Sequence, residues 1–202
     1  MEQKYKIDKN ISRVLMTNKA IKFTLECVPY IMEYVGIAST DYAIGGSMAG
    51  ILYGIDFKRV PHDIDVIVPL GTIALIKPII NNSFILIEDE LTSSVDEERG
   101  TNHYAFRTVK GFVVDIIEYV NFRNEKVQRD INNIYVRKHN SNKLNLIRIM
   151  GINTLIEAKK RYKRTKDISD LELLKQYKEE VEVLDNNNNA LDELKETMKD
   201  IF

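Results

Sequence analysis

Asp63-Ile64-Asp65-Val66-Ile67-Val68 sets two carboxylates one residue apart in an otherwise apolar run, and Pro69 stops it. Alternate residues of a strand point to the same face. A strand here therefore presents Asp63 and Asp65 together and turns Ile64, Val66 and Val68 into a core. Two adjacent anions repel unless a cation sits between them, and an all-oxygen donor set favours Mg²⁺ or Mn²⁺ over zinc. The plain alternative is a pair of solvated acids at the start of a strand, which is the commoner meaning of an isolated Asp-x-Asp. The flanking sequence decides between the two.

Upstream, Asp41-Tyr42-Ala43-Ile44 reads as a short strand stopped by Gly45-Gly46-Ser47. Met48, Ile51, Leu52 and Ile55 then recur at helical spacing, which predicts a short helix from Ser47 to about Gly54 with Ser47 as its N-cap. Glycines between a strand and a helix let the backbone approach a phosphate closely, and Ser47 adds a hydroxyl donor. Gly-Gly-Ser alone is a weak signal. A phosphate cradle shortly before a cation-binding strand is stronger, because phosphoryl chemistry needs both. Residues 56–62 form a polar loop carrying Lys58, Arg59 and Pro61.

Downstream, Asp115 interrupts the apolar run Phe112-Val113-Val114-Asp115-Ile116-Ile117. A carboxylate amid such neighbours is costly to bury unpaired, so it should face a cation or a solvent-filled cleft. An exposed place on an edge strand is the alternative. If its strand lies beside residues 63–68, three carboxylates meet. That arrangement suits two cations about 4 Å apart on either side of an in-line displacement.

The remaining pattern describes a mixed α/β (α+β) core, residues 1–150, followed by a helical segment, residues 151–202. Residues 11–35 carry apolar positions at helical spacing, among them Ile11, Val14, Leu15, Ile21, Leu25, Val28 and Ile31, and read as one long helix, with Pro29 as the one candidate break. Strands are expected over 84–88, 104–109 and 112–120. Lys110-Gly111 makes the turn of a hairpin, and residues 89–102 form a charged loop. A further strand covers 144–150. Helices follow over 154–163, 168–183 and 191–202, the last two separated by a low-complexity turn or linker at Asn186–Asn189.

The chain has 202 residues and is 44% hydrophobic, enough for a real core, and its formal net charge of -1 gives no drive toward non-specific nucleic-acid binding. A single cysteine, Cys27, allows no internal disulfide, and with three scattered histidines it offers no zinc-type spacing. No apolar run approaches the ~20 residues of a membrane span, and the N-terminus lacks the apolar stretch of a signal peptide. A soluble cytoplasmic protein without membrane partners is expected. His62 adjoins the Asp63 strand but alternates away from it. His103 opens a strand and could face substrate, while Tyr104, Phe106 and Tyr119 read as core or sheet residues rather than base-stacking ones.

Gly45-Gly46-Ser47, then Asp63-Ile64-Asp65-Val66, then Asp115 resembles the DNA polymerase β-like nucleotidyltransferase superfamily. Arg59 matches a basic position of its bacterial abortive-infection toxin and aminoglycoside or lincosamide branches. Pro61 departs from the Ser or Thr common two residues before the first Asp, and residues 48–62 form a slightly long spacer. A second match is Glu157-Ala158-Lys159-Lys160, Lys163-Arg164 and Lys166-Asp167-Ile168-Ser169-Asp170-Leu171, similar to a basic signature of the same branches. The resemblance covers about residues 42–175.

It implies a polymerase β-like fold and transfer of a nucleoside monophosphate from a nucleoside triphosphate to a hydroxyl, with Mg²⁺ or Mn²⁺ held by Asp63, Asp65 and Asp115. Gly45, Gly46, Ser47, Arg59, Lys159, Lys163, Arg164 and Lys166 would hold the triphosphate, with Asp167 and Asp170 orienting the bases or capping a helix. A solvated charged helix face is the competing reading of that basic segment. The acceptor would be a tRNA or other RNA 3′ end, a small-molecule hydroxyl or a protein hydroxyl, and the toxin branch brings a cognate antitoxin into consideration as partner. The rival from another class is a non-catalytic nucleotide-binding or partner-binding module on the same fold.

Overall fold

A computed structural model describes residues 19–82, 86–96, 101–119, 131–137 and 144–199. In chain order these form α1 (Lys19–Tyr34), β1 (Ala43–Ile44), α2 (Gly46–Leu52), β2 (Asp63–Pro69), α3 (Thr72–Asn82), β3 (Leu86–Asp96), β4 (Thr101–Thr108), β5 (Val113–Tyr119), β6 (Ile131–Arg137), β7 (Leu144–Met150), α4 (Ile152–Tyr162) and α5 (Thr165–Lys199). The chain divides into two compact units, Met1–Leu155 and Ile156–Phe202. Among the described residues no helix is long and apolar enough to cross a membrane.

The first unit is built on a seven-stranded sheet in the order β3-β4-β5-β2-β1-β7-β6. β2 runs parallel to β5, and β1 parallel to β7; the other neighbours are antiparallel. The expected mixed α+β architecture is therefore what the chain adopts. Strand alternation sorts the central sheet into two faces. Ile64, Val66 and Val68 of β2, Val114 and Ile116 of β5, and Tyr104 and Phe106 of β4 are fully buried on one face. Asp63 and Asp65, Asp115, and His103, Ala105 and Arg107 stand half-buried on the other.

Helices cover the apolar face. Thr24 of α1 meets Thr108 of β4 through their hydroxyls (3.3 Å), and the Lys77 ammonium of α3 lies 5.1 Å from the centre of the Tyr104 ring. Glu118 of β5 lies on this face and is buried. Its Oε1 accepts the Ile73 N–H at the start of α3 at 2.6 Å and its Oε2 the Asn102 amide of β4 at 3.0 Å, so both oxygens are used. A carboxylate there also complements the positive end of the helix.

Several elements depart from the sequence expectation. α1, by contrast, is the expected long helix over its described part and runs through Pro29 unbroken; residues 11–18 lie outside the described ones. α3 was not expected: Ile73, Ile76 and Ile80 form its buried stripe, but Pro78 sits inside the pattern and reads as a helix breaker. β3 extends across the expected charged loop to Asp96, with a register shift between Ile87 and Thr92, and β6 was not expected at all. Both are edge strands, where polar and charged residues are tolerated and even favoured. The Asn186–Asn189 run lies within α5 and is no linker.

Candidate functional site

The site grows from the junction of β1, α2 and β2. The Gly45 N–H donates to the Asp65 carbonyl at 2.8 Å, pinning the turn to β2. Gly46 has φ +55, in the left-handed region, and a Cβ built there would fall on Asp65 Oδ2. Only glycine satisfies both demands. The turn and the Asp65 carboxylate are thus in direct apposition, which sequence spacing alone could not establish.

Ser47 has a different place from the one expected. Gly45 is the N-cap of α2, in extended conformation and without a side-chain cap. The Ser47 side chain is buried inside the first turn, where its Oγ accepts a hydrogen bond from Arg59 Nη2 at 3.0 Å. Arg59 in turn lies over the Phe57 ring, 5.5 Å from its centre. Phe57 packs so closely on Gly50 that a Cβ there would run into the ring. A bare glycine on α2 therefore seats Phe57, Phe57 carries the guanidinium, and the guanidinium reaches Ser47. Sequence matching singled out Arg59, but neither Phe57 nor Gly50.

Asp65 and Asp115 are direct partners across the parallel β2–β5 pair, and Asp63 lies two residues back on the same face, opposite Val113. The strand order that sequence left open therefore brings the three acids onto one face. Two like charges directly opposite on adjacent strands destabilise the pair. In this structure each is turned to its own surroundings: Asp65 Oδ2 toward Gly46, and Asp115 Oδ2 to His103 Nδ1 at 3.2 Å. Asp115 Oδ1 is buried and has no hydrogen-bond partner. Among the described residues no three His, Cys, Asp or Glu side chains form a ready-made cation cage. The all-oxygen donor set and the orphaned Oδ1 suit a hard divalent cation, with side-chain rotation needed to close the set.

His103 reaches Asp115 diagonally. Its backbone partner on β5 is Ile117, while Ala105 stands directly opposite Asp115. The small Ala105 side chain leaves the imidazole room to lean across. His62, by contrast, is exposed in the loop before β2, and Tyr104 and Phe106 are core residues, while the Tyr119 side chain lies outside the described ones.

The basic segment belongs to the second unit and has its own closed chemistry. Lys159 is 5% exposed, and its ammonium donates to Asp167 Oδ1 (2.9 Å) and Asp170 Oδ2 (2.8 Å), both fully buried. Arg164 donates to both oxygens of Asp167, through Nε at 2.6 Å and Nη2 at 3.2 Å, and its backbone N–H also meets Oδ2. Asp167 thus reaches back to the residue preceding α5, as an acidic N3 residue does in a capping box. Burial alone would raise the Asp167 carboxyl, but hydrogen bonds from Arg164 and Lys159 outweigh it and bring it down to about 2. Lys163, at φ +51, and Lys166 are exposed. Of the expected triphosphate ligands, Lys159 has its charge committed to two carboxylates inside its own unit.

No known family's sequence profile matches the chain, and no curated protein is similar enough to count as a match. Among solved structures, the chain is similar to a protein of Thermotoga maritima whose own assignment as a nucleotidyltransferase is provisional. The two share 16% identity with a TM-score of 0.45, over 78% of this chain and 93% of that one.

Proposed function

We propose that the protein transfers a nucleoside monophosphate from a nucleoside triphosphate to an acceptor hydroxyl. The observation that carries this reading is the apposition of Asp65 with the Gly45-Gly46 turn on one side and Asp115 on the other. Phosphoryl transfer asks for an anion cradle next to clustered carboxylates, and little else in the protein's chemistry. In this reading the bare glycines let the Asp65 carboxylate lie against the turn, so that carboxylate and turn meet the triphosphate together, and Arg59, held through Ser47 and Phe57, faces its negative charge. Asp63, Asp65 and Asp115 would hold Mg²⁺ or Mn²⁺, which when bound neutralises charge developing on the attacking and leaving oxygens. The acceptor hydroxyl forms a bond to the α-phosphorus and gives its proton to Asp115 Oδ1, while the bond to the β-phosphate oxygen breaks and pyrophosphate leaves.

The test is incubation with each α-labelled triphosphate and Mg²⁺, in separate arms with tRNA, with small hydroxylated acceptors and with protein. Label entering any arm in the wild type, and none with Asp63→Ala, Asp65→Ala or Asp115→Ala, is the expected result. Turnover near wild type in any of the three variants would sink the assignment. A second reading, a non-catalytic nucleotide-binding module, is favoured by one observation: the three acids share a face without forming a closed cage. Triphosphate binding with no transfer in any arm would select it.

A further inference from the structure

We infer that His103 is a positioning residue for Asp115, holding one carboxylate oxygen so that the other is presented to the reacting centre. This rests on the nucleotidyl-transfer reading above and adds to it the contact of His103 with the other oxygen of that carboxylate. His103 Nδ1 lies 3.2 Å from Asp115 Oδ2, while Oδ1 of the same carboxylate is buried without a partner. The two oxygens are therefore unequal: one is engaged by the neighbouring strand and one is left for a ligand. Register shows why a holder is needed. Asp65 stands directly opposite Asp115, and an unheld carboxylate would swing away from that like charge. The restraint comes from the other side of β5, where Ala105 is Asp115's direct partner and is too small to block the ring. Both side chains remain about a fifth exposed, at 21% and 22%, so the pair is screened from bulk water without being sealed off. Donors that orient a ligating carboxylate typically change cation affinity or activity 10–100-fold when removed.

The experiment compares His103→Ala, His103→Asn and Asp115→Asn with wild type, since an Asn amide can place a donor near the Nδ1 position. Mn²⁺ binding to the nucleotide-free protein is measured by electron paramagnetic resonance, alongside kcat, KM for the triphosphate and the thermal midpoint. We expect His103→Ala to weaken Mn²⁺ binding and lower kcat about tenfold or more, with KM within about twofold and the midpoint close to wild type. His103→Asn should recover most of both losses. If His103→Ala matches wild type in Mn²⁺ binding and kcat while Asp115→Asn loses both, the positioning role is overturned and the function reading stands. Equal impairment of both His103 variants, accompanied by a fall in midpoint, would make the contact a structural cross-strand pair and also overturn it. If Asp115→Asn leaves Mn²⁺ binding intact, the function reading fails and this inference falls with it.

Discussion

Gly46 carries more of the proposed chemistry than its size implies. Its φ of +55 is a conformation other residues adopt at a cost of roughly 1–2 kcal/mol. A Cβ would in addition displace the Asp65 carboxylate. Gly46→Ala should therefore cost more activity than stability: a fall in kcat/KM of about a hundredfold or more, with a folded protein by circular dichroism. Activity within about threefold of wild type would show that the turn does not shape the site. The Cys27 thiol makes the opposite case. Burial, with the neighbouring Glu26 charge, pushes it up to about 11, so it is a thiol at neutral pH. It should resist iodoacetamide in the native protein and react only on unfolding; rapid native labelling would contradict its place in the core. At this scale the sequence was informative where chemistry is local, as in the Asp63–Asp65 pair. It was silent where a side chain depends on a distant strand. His103 illustrates this, because its partner is fixed by register and not by spacing.

The central strands were the most legible elements. β2, β4 and β5 sit centrally and announce themselves by alternation and apolar content, and the Gly111 turn between β4 and β5 reads directly, at φ +78. The far part of β3 and the whole of β6 lie at the two edges, where pairing on one side only relaxes the demand for apolar residues. α3 was hidden by Pro78, and its N-terminus is capped by Glu118 from β5, a long-range contact with no local trace. The start of α5 yields a pH prediction. Asp167 titrates at about 2 in the folded protein against an ordinary value of 3.8. Its folded value is depressed, so its contribution is fully present above about pH 4 and is lost as pH falls toward 2. The shift corresponds to about 2 kcal/mol. Thermal midpoints should drop across that window, and Asp167→Asn should flatten the part of the drop that this residue causes while lowering stability at neutral pH. A parallel acid profile in the variant would remove Asp167 from the explanation.

At the scale of the whole sheet, the acids of the candidate site meet because β5 returns beside β2 in parallel, a topology that no residue spacing dictates. The same return sets Asp65 against Asp115 in direct register, a pairing that lowers stability in exchange for a concentrated negative face. Opposed like charges on neighbouring strands cost on the order of 0.2–1 kcal/mol, and replacing residues at functional sites often raises stability for this reason. Asp65→Asn should therefore raise the thermal midpoint of the cation-free protein by about 1–3 °C while abolishing transfer. Excess Mg²⁺ should raise the wild-type midpoint by binding the folded state alone, and should do so less in the variant, because stabilisation by a ligand follows its affinity for the native protein. The two effects have opposite signs in the same pair of proteins, which separates them from general changes in packing. If Asp65→Asn melts below wild type without Mg²⁺, the carboxylate is a structural partner of the glycine turn. An equal gain from Mg²⁺ in both proteins would mean that the cation binds elsewhere.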